Sequence, residues 1–511
     1  MIDLPLSSEH KFLGRKVIYT SREQKQINEN TIPSIINGAM NRHIENRRET
    51  EYLFKYFLGD QPIRDRVKLI RPDINNRLVM DNAWQIVRNS NGYFLGEPIQ
   101  CTAKKQKDSE NVSTLNDMMD SENKACEDMS VGYWCSISGH GHRLVNAGKD
   151  GEDDEAPFGI PTLDPRYTEV IYSTKVDHPA VLGFTYAELL NDDGSIVGTT
   201  FTVYDKEFQY IYTVKGGYTT HIQPKDLVSK KAHFLGNVPI VEYLNNEWRM
   251  GDFEMVLTIL DAINKLHSDR VNSVEQLVNS ILVFIGCHLK TAEEDKQAGG
   301  PGVSDLDALK ENLAIELPNA DGAKADVKYV NSSVDQNEAE TLAQTLIDYV
   351  YAITGIPDRK QKSGGTGDTG DAVYLRDGFQ SLEVVARVKE RNFKKAERTT
   401  LRMICRILKV NEVMDLKPMQ IEIKFVRNRT NNLLSMSQAF MYFMKTRQLS
   451  PEDGISLIGI TSDPKGMAQR GKEYWGEVAK EQSKENLDTQ TPVKQEGSDG
   501  NNEPSADRKV S

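Results

Sequence analysis

No apolar run in this chain approaches the roughly 20 residues that a helix needs to span a bilayer. The N-terminal stretch MIDLPLSSEHKFLGRK lacks the apolar core of a signal peptide. A membrane protein is therefore not expected. Cysteine is scarce: five in 511 residues, scattered at Cys101, Cys126, Cys135, Cys287 and Cys405. An odd, dispersed set argues against a disulfide framework and fits a reduced, intracellular folding environment. Positive charge is in deficit, with 63 Lys and Arg against 75 Asp and Glu and a net charge of −12. That balance excludes a protein that grips nucleic acid over its whole surface, so any such contact must be local or loose. No Ser/His/Asp or Cys/His set assembles from the chain, and no catalytic residue, cofactor or metal is assigned.

At 38% hydrophobic and 27% charged residues, the sequence is globular but polar, long enough for two to four domains. The first 55 residues read as helical, with Ile35, Ile36, Met40 and Ile44 at helical spacing. Leu78, Val79, Ala83, Ile86 and Val87 form a second stripe before glycines and a proline break it. From about 129 to 245 short alternating runs such as GTTFTVYDKEFQYIYTV, separated by Asp/Gly turns, predict a β-meander or an α+β module. Residues 252–280 give the strongest helical pattern, with Asp252 placed to cap it. A β-rich insert follows at 281–333, in which Cys287 reads as core, then an amphipathic helix at 335–354 that ends at Gly355 and Pro357. A long helix is expected over 373–408, the strand MQIEIKFVRNR (419–429) after it, and a helical pair up to about 475. From about 478 the chain is polar and is expected to be disordered.

Several motifs invite chemistry and fall short of it. SGGTGDTGDA (363–372) fits both G-x-G-x-x-G and the glycine spacing of a P-loop. A P-loop needs a lysine and then Ser/Thr after its last glycine, to neutralise phosphate and hold magnesium. Here Asp371 and Ala372 follow Gly370, so the segment reads as a mobile loop, not a nucleotide site. GHGH puts His140 and His142 on one face of a strand, as a metal site needs, but no third ligand is evident, and exposed strand histidines are expected. The acidic run 148–156 lacks calcium-loop spacing and reads as a solvated turn. Nine Lys/Arg lie between 387 and 409: Arg387, Lys389, Arg391, Lys394, Lys395, Arg398, Arg402, Arg406 and Lys409. They make either a solvated or intersubunit salt-bridge face, or a contact for nucleic-acid phosphate.

The order of several blocks carries more than any one motif. Gly92-Tyr93 with Gly96-Glu97-Pro98-Ile99, then His233-Phe234, Gly236 and Pro239-Ile240, then Thr354-Gly355-Ile356-Pro357-Asp358 before the glycine loop, resemble the portal proteins of long-tailed bacteriophages of Gram-positive hosts. The resemblance covers roughly residues 30–475. It implies an α+β, mostly helical portal fold: an N-terminal arm (1–30), a wing (31–250, with return strand 419–429), stem helices (252–280 and 335–354), a clip (281–333), a tunnel loop (358–371), a long helix (373–408), a crown (428–475) and a tail (478–511).

By the same resemblance the protein is a non-enzymatic homo-oligomeric ring of about twelve subunits at one capsid vertex. It would sit in the virion, and in the host cytoplasm during assembly. Its partners would be the terminase large subunit, head-completion adaptors, and the major capsid and scaffolding proteins. Double-stranded DNA would pass through it without sequence preference, inward on packaging and outward on ejection. Lys360, Lys362, Gly364, Gly365, Thr366, Gly367 and Asp368 would face that DNA, and Asp305, Asp307 and Lys310 of the clip would meet partners. Two other functions stay open: a nucleotide-driven motor or enzyme using the glycine loop, and a head–tail connector or minor head protein.

Overall fold

A computed structural model describes residues 14–69, 71–147, 156–217, 219–278, 281–285, 289–305, 307, 326–330, 336–357, 379–427, 433–445, 450–451, 454–455 and 464–488. The chain divides into two compact units, 1–430 and 431–511.

The first unit opens with strand β1 (Ile18–Thr20) and helix α1 (Ile32–Phe57), followed by α2 (Asn82–Phe94), β2 (Gln100–Ala103), α3 (Ser109–Ser121) and α4 (Lys124–Ser138). Strands β3 (His140–Leu144), β4 (Asn146–Ala147), β5 (Phe158–Gly159), β6 (Thr162–Leu163) and β7 (Thr168–Ser173) follow. The long meander is β8 (Ala180–Leu190), β9 (Ile196–Tyr204), β10 (Phe208–Lys215) and β11 (Leu227–Ala232), and β12 (Ile240–Leu244) closes this half. Then come α5 (Leu257–Val278), β13 (Ile281–Ile285), α6 (Ala292–Gln297), β14 (Asp326–Val330), α7 (Gln336–Thr354), α8 (Phe379–Val410) and β15 (Ile421–Lys424).

The main sheet runs β1-β7-β8-β9-β10-β11, with β1 parallel to β7 and the remaining pairs antiparallel. Alternation along these strands sends Leu182, Phe184, Phe201, Tyr210 and Tyr212 to one face. There they bury Ile32, Ile35, Ile36, Ala39 and Met40 of α1. A second sheet, β12-β3-β6, leads into a second core, in which α8 packs Phe393, Ile404 and Leu408 against Phe94, Leu115 and Tyr243. β15 returns over a long sequence distance to pair antiparallel with β2. Helices α5 and α7 meet through Leu260, Ile263, Leu346, Ile347 and Val350. Between them β13 and β14 form an antiparallel pair, Ile281 opposite Val330 and Ile285 opposite Asp326.

The second unit contributes helices α9 (Leu433–Lys445) and α10 (Pro464–Asp488).

Several expectations need correction. The N-terminal region is not uniformly helical, because Ile18–Thr20 pairs as an edge strand with β7. Leu78 and Val79 precede α2: the amide of Leu78 donates to Ser268 Oγ and that of Met80 to Asn264 Oδ1, so this stretch runs extended along α5. Asp252 does not cap α5. Its carboxylate accepts from Lys389 Nζ (2.6 Å) and Asn245 Nδ2 (2.9 Å). His140 and His142 are buried, not exposed, at 1% and 0%. α10 runs to Asp488, into the stretch expected to be disordered, where EVAKEQSKEN supplies strong helix formers. The acidic run at 148–155 and Cys287 lie outside the described residues.

One glycine is required by geometry. Gly139 ends α4 with φ +86°, and its amide donates to Cys135 O (2.8 Å). A Cβ there would sit 2.1 Å from the Arg249 carbonyl carbon, so any side chain would push the turn before α5 away from the end of α4.

Candidate functional site

Helix α8 combines a fully anchored inner face with a cationic outer one. Seven of its basic residues are exposed: Arg387, Arg391, Lys395, Arg398, Arg402, Arg406 and Lys409. Their spacings of four, four, three, four, four and three place them within an arc of about 100° over about 33 Å of helix. Arg387 pairs with Glu383 and Lys409 with Asp415. Arg391, Lys395, Arg398 and Arg402 have no acidic partner among the described residues. The stripe is a charged rail, open along its middle.

The opposite face is held by buried charge. Arg143 on β3 is fully buried and donates to Asp128 Oδ1 (2.8 Å), Glu397 Oε1 (2.8 Å) and the Tyr243 hydroxyl (3.1 Å). Lys124 reaches Asp128 (2.5 Å) and Glu397 (3.3 Å). Two cations and two anions therefore share one dry pocket, formally neutral. Burial alone would push Glu397 up; the Lys124 and Arg143 charges outweigh it and hold the carboxyl below its ordinary value. Nearer the start of α8, Lys389 Nζ meets Asp252 (2.6 Å), Ser90 Oγ (2.8 Å) and Ser136 Oγ (3.2 Å). These contacts tie α8 to α2, to α4 and to the residues just before α5. Lys389 thus leaves the set of basic residues offered to a partner.

The turn before α5 is fixed in the same way. Arg249 adopts φ +55° and grips Glu242 with two bonds of 2.7 Å. Arg15 grips Glu254 with bonds of 3.0 and 2.8 Å. Helix α5 therefore starts from a turn held by two buried ion pairs. On α7, Leu342, Tyr349 and Ile353 are exposed at a spacing that puts them on one face. Val271 and Val274 on α5 and Val384 and Val388 on α8 are also exposed. These apolar residues have no cover within the described chain.

Of the residues singled out from sequence, Lys360, Lys362, Gly364, Gly365, Thr366, Gly367, Asp368 and Lys310 lie outside the described residues. Asp305 is tied to Lys290: its amide donates to Lys290 O (3.1 Å) and its Oδ2 accepts from Lys290 N (2.8 Å). Asp307 accepts from Ser304 Oγ (2.6 Å) in a local turn. The two acids stabilise the fold of the insert as well as offering charge. The buried pocket of Lys124, Asp128, Arg143 and Glu397 escaped sequence reasoning. Its members lie up to 273 positions apart, and charged residues carry no sequence mark of burial.

Comparison with known proteins comes to the same family. The family described as "Phage portal protein, SPP1 Gp6-like" matches residues 39–487. A curated relative, the portal protein of Bacillus phage SPP1, is 20% identical over 479 residues, covering 91% of this chain and 88% of the relative. Among solved structures, the neck of a native gene transfer agent (GTA) particle computed with C12 symmetry aligns at a TM-score of 0.42 and 14% identity, over 81% of this chain and 94% of that one. The virion of a native GTA particle aligns at a TM-score of 0.39 and 14% identity over the same shares. Both structural likenesses are too loose to define an assembly.

Proposed function

The chain belongs to the SPP1 Gp6-like family of phage portal proteins, and from that membership we propose that it forms a ring-shaped channel at one capsid vertex. Double-stranded DNA enters through the ring during packaging and leaves through it on ejection, and the ring serves as the platform for head–tail attachment. The ring holds about twelve subunits. The protein acts structurally, and the force for packaging comes from the terminase. No helix among the described residues is long and apolar enough to cross a membrane.

The observation that carries assembly is the uncovered stripe Leu342, Tyr349 and Ile353 on α7, beside exposed valines of α5 and α8. A single subunit leaves these faces in water, and a neighbour in a closed ring covers them. Electrostatics separates the roles of the two basic regions. Each phosphate neutralised adds affinity and salt dependence, so seven cations per subunit around a ring would clamp DNA rather than let it slide. The α8 stripe therefore serves the neighbouring subunit of an acidic chain. DNA meets the glycine loop of 358–371, where Lys360 and Lys362 are offset by Asp368 and Asp371. Its glycines let each copy follow the passing groove separately. The clip, with Asp305, Asp307 and Lys310, meets terminase and later the adaptor.

Light scattering and negative-stain microscopy of the purified protein test the ring. Twelve copies of a 57.6 kDa chain give particles of about 0.7 MDa with a central hole. A monomer at micromolar concentration would overturn assembly through these faces.

A further inference from the structure

His140, His142 and Glu169 lie where the two sheets of the wing meet, far in sequence from the glycine loop and unused by the channel. β3 presents both histidines on one face, and β7 brings the carboxylate. One ligand atom from each residue lies within 4.8 Å of the others. The two imidazole rings stand edge to face, 5.2 Å apart and 85° inclined. All three residues are buried.

Two independent features show that the cluster is short of a positive partner. The first is unmet hydrogen bonding. His140 Nδ1 lies 3.3 Å from Ser138 O, to which it donates, leaving Nε2 without a partner, and neither nitrogen of His142 has one among the described residues. A buried lone pair with no donor is costly, and a cation satisfies it. The second is charge. Asp128, Glu242, Glu254 and Glu397 have buried carboxylates that each hold a Lys or Arg, whereas buried Asp205, which holds none, accepts instead from two backbone amides and the Tyr210 hydroxyl, and buried Asp108 accepts from Gln420 Nε2. Glu169 holds no Lys or Arg among the described residues. Its Oε2 accepts from Asn46 Nδ2 (3.2 Å) and lies 3.7 Å from His43 Nδ1, and its Oε1 lies 4.0 Å from His142 Nε2. The Arg249 guanidinium nearby is committed to Glu242, which also accepts from the Tyr172 hydroxyl (2.5 Å).

We propose that His140, His142 and Glu169 bind one transition-metal dication of the zinc type, which pins β3 to β7 and so joins the two sheets. Two imidazoles and a carboxylate are a zinc donor set. The Ser138 carbonyl fixes His140 in the tautomer that points Nε2 inward, and Asn46 orients the carboxylate, as outer partners of metal ligands do. Bonds of about 2.0–2.1 Å on a tetrahedral ion place ligand atoms about 3.4 Å apart, so the three draw in by about an ångström. His43 Nδ1 on α1, which also lacks a hydrogen-bond partner among the described residues, lies 3.7 Å from the Glu169 carboxylate but outside the three-ligand cluster. All three ligands are buried, which suits a structural metal. It does not depend on the channel reading and survives if that reading fails.

The test uses tag-free, full-length protein in its native assembly. Elemental analysis is expected to find about one dication per subunit, or Zn²⁺ titrated into chelator-treated protein to bind at that ratio. Co²⁺ substituted for it should give the visible absorption of a tetrahedral nitrogen/oxygen site. His142→Ala and Glu169→Gln should abolish binding, while His221→Ala at an exposed position leaves it intact. Should the variants fail to fold, the Co²⁺ spectrum and stoichiometry of the wild-type protein decide. Wild-type protein that carries no metal and takes up neither Zn²⁺ nor Co²⁺ overturns the proposal and leaves a hydrogen-bonded His–Glu core. Binding that persists in both ligand variants overturns it equally.

Discussion

Replacing Arg143 by methionine tests whether α8 is anchored by the buried pocket. Arg143 and Lys124 together balance Asp128 and Glu397 in a space with side-chain exposures of 0%, 5%, 1% and 1%. Arg143→Met keeps the volume and leaves two carboxylates facing one ammonium. Glu397→Gln leaves the opposite excess, two cations facing one carboxylate. Breaking a buried pair from one side costs about 3–5 kcal/mol, because the surviving charge stays out of water. With an unfolding entropy of about 2.1 cal/mol/K per residue over the 1–430 unit, each kcal/mol moves the melting midpoint by roughly 1 °C. Each single variant should therefore melt about 3–6 °C lower. The double variant restores neutrality with Lys124 facing Asp128, so its loss should resemble one single variant, a coupling of about 3–5 kcal/mol. Scanning calorimetry of the three variants beside wild type, with assembly state checked in the same samples, measures this. Additive losses, or single losses below about 1 °C, would refute the anchoring argument.

Three further predictions follow from the same structure. Burial pushes the Cys101 thiol up to about 12 and Cys405 to about 11, while Cys126 is exposed. At pH 8 a thiolate-seeking reagent should therefore modify Cys126 but not Cys101 or Cys405 in the folded protein, read by peptide mass spectrometry; rapid labelling of Cys101 would mean an open core. Leu342→Asp with Tyr349→Asp should leave subunits folded by circular dichroism but reduce rings to small species, and unchanged rings would move the interface off α7. Alanine at Gly364, Gly365 and Gly367 should cost below about 1 kcal/mol per site, unless φ is positive there. Rings should still form, yet packaged DNA length per particle should fall, whereas full-length genomes at the normal rate would make the loop a passive linker.

Helices α5, α7 and α8 were legible because their apolar residues repeat at helical spacing over five or more turns, a signal no short-range accident reproduces. The β8–β10 meander was legible for the matching reason, alternation bounded by Asp/Gly turns. Leu78 and Val79 misled because an extended chain held by Ser268 and Asn264 carries the same local apolar spacing as a helix start. Asp252 looked like a cap, a role set by neighbours in sequence, but was claimed by Lys389, 137 positions away. His140 and His142 show the same limit. Their spacing gave the shared face, while their burial depends on Glu169 of β7 and on α1, which only the fold brings near. The family's ordered blocks supplied what periodicity could not, membership in the portal family.

The division between a loop that meets DNA and a helix that meets a neighbour is the centre of this account. Photo-crosslinking amino acids placed singly at Thr366 and at Arg398, activated in DNA-filled particles, test it directly. Thr366 should give DNA adducts and Arg398 subunit–subunit adducts. DNA adducts from Arg398 with none from Thr366 would contradict that division.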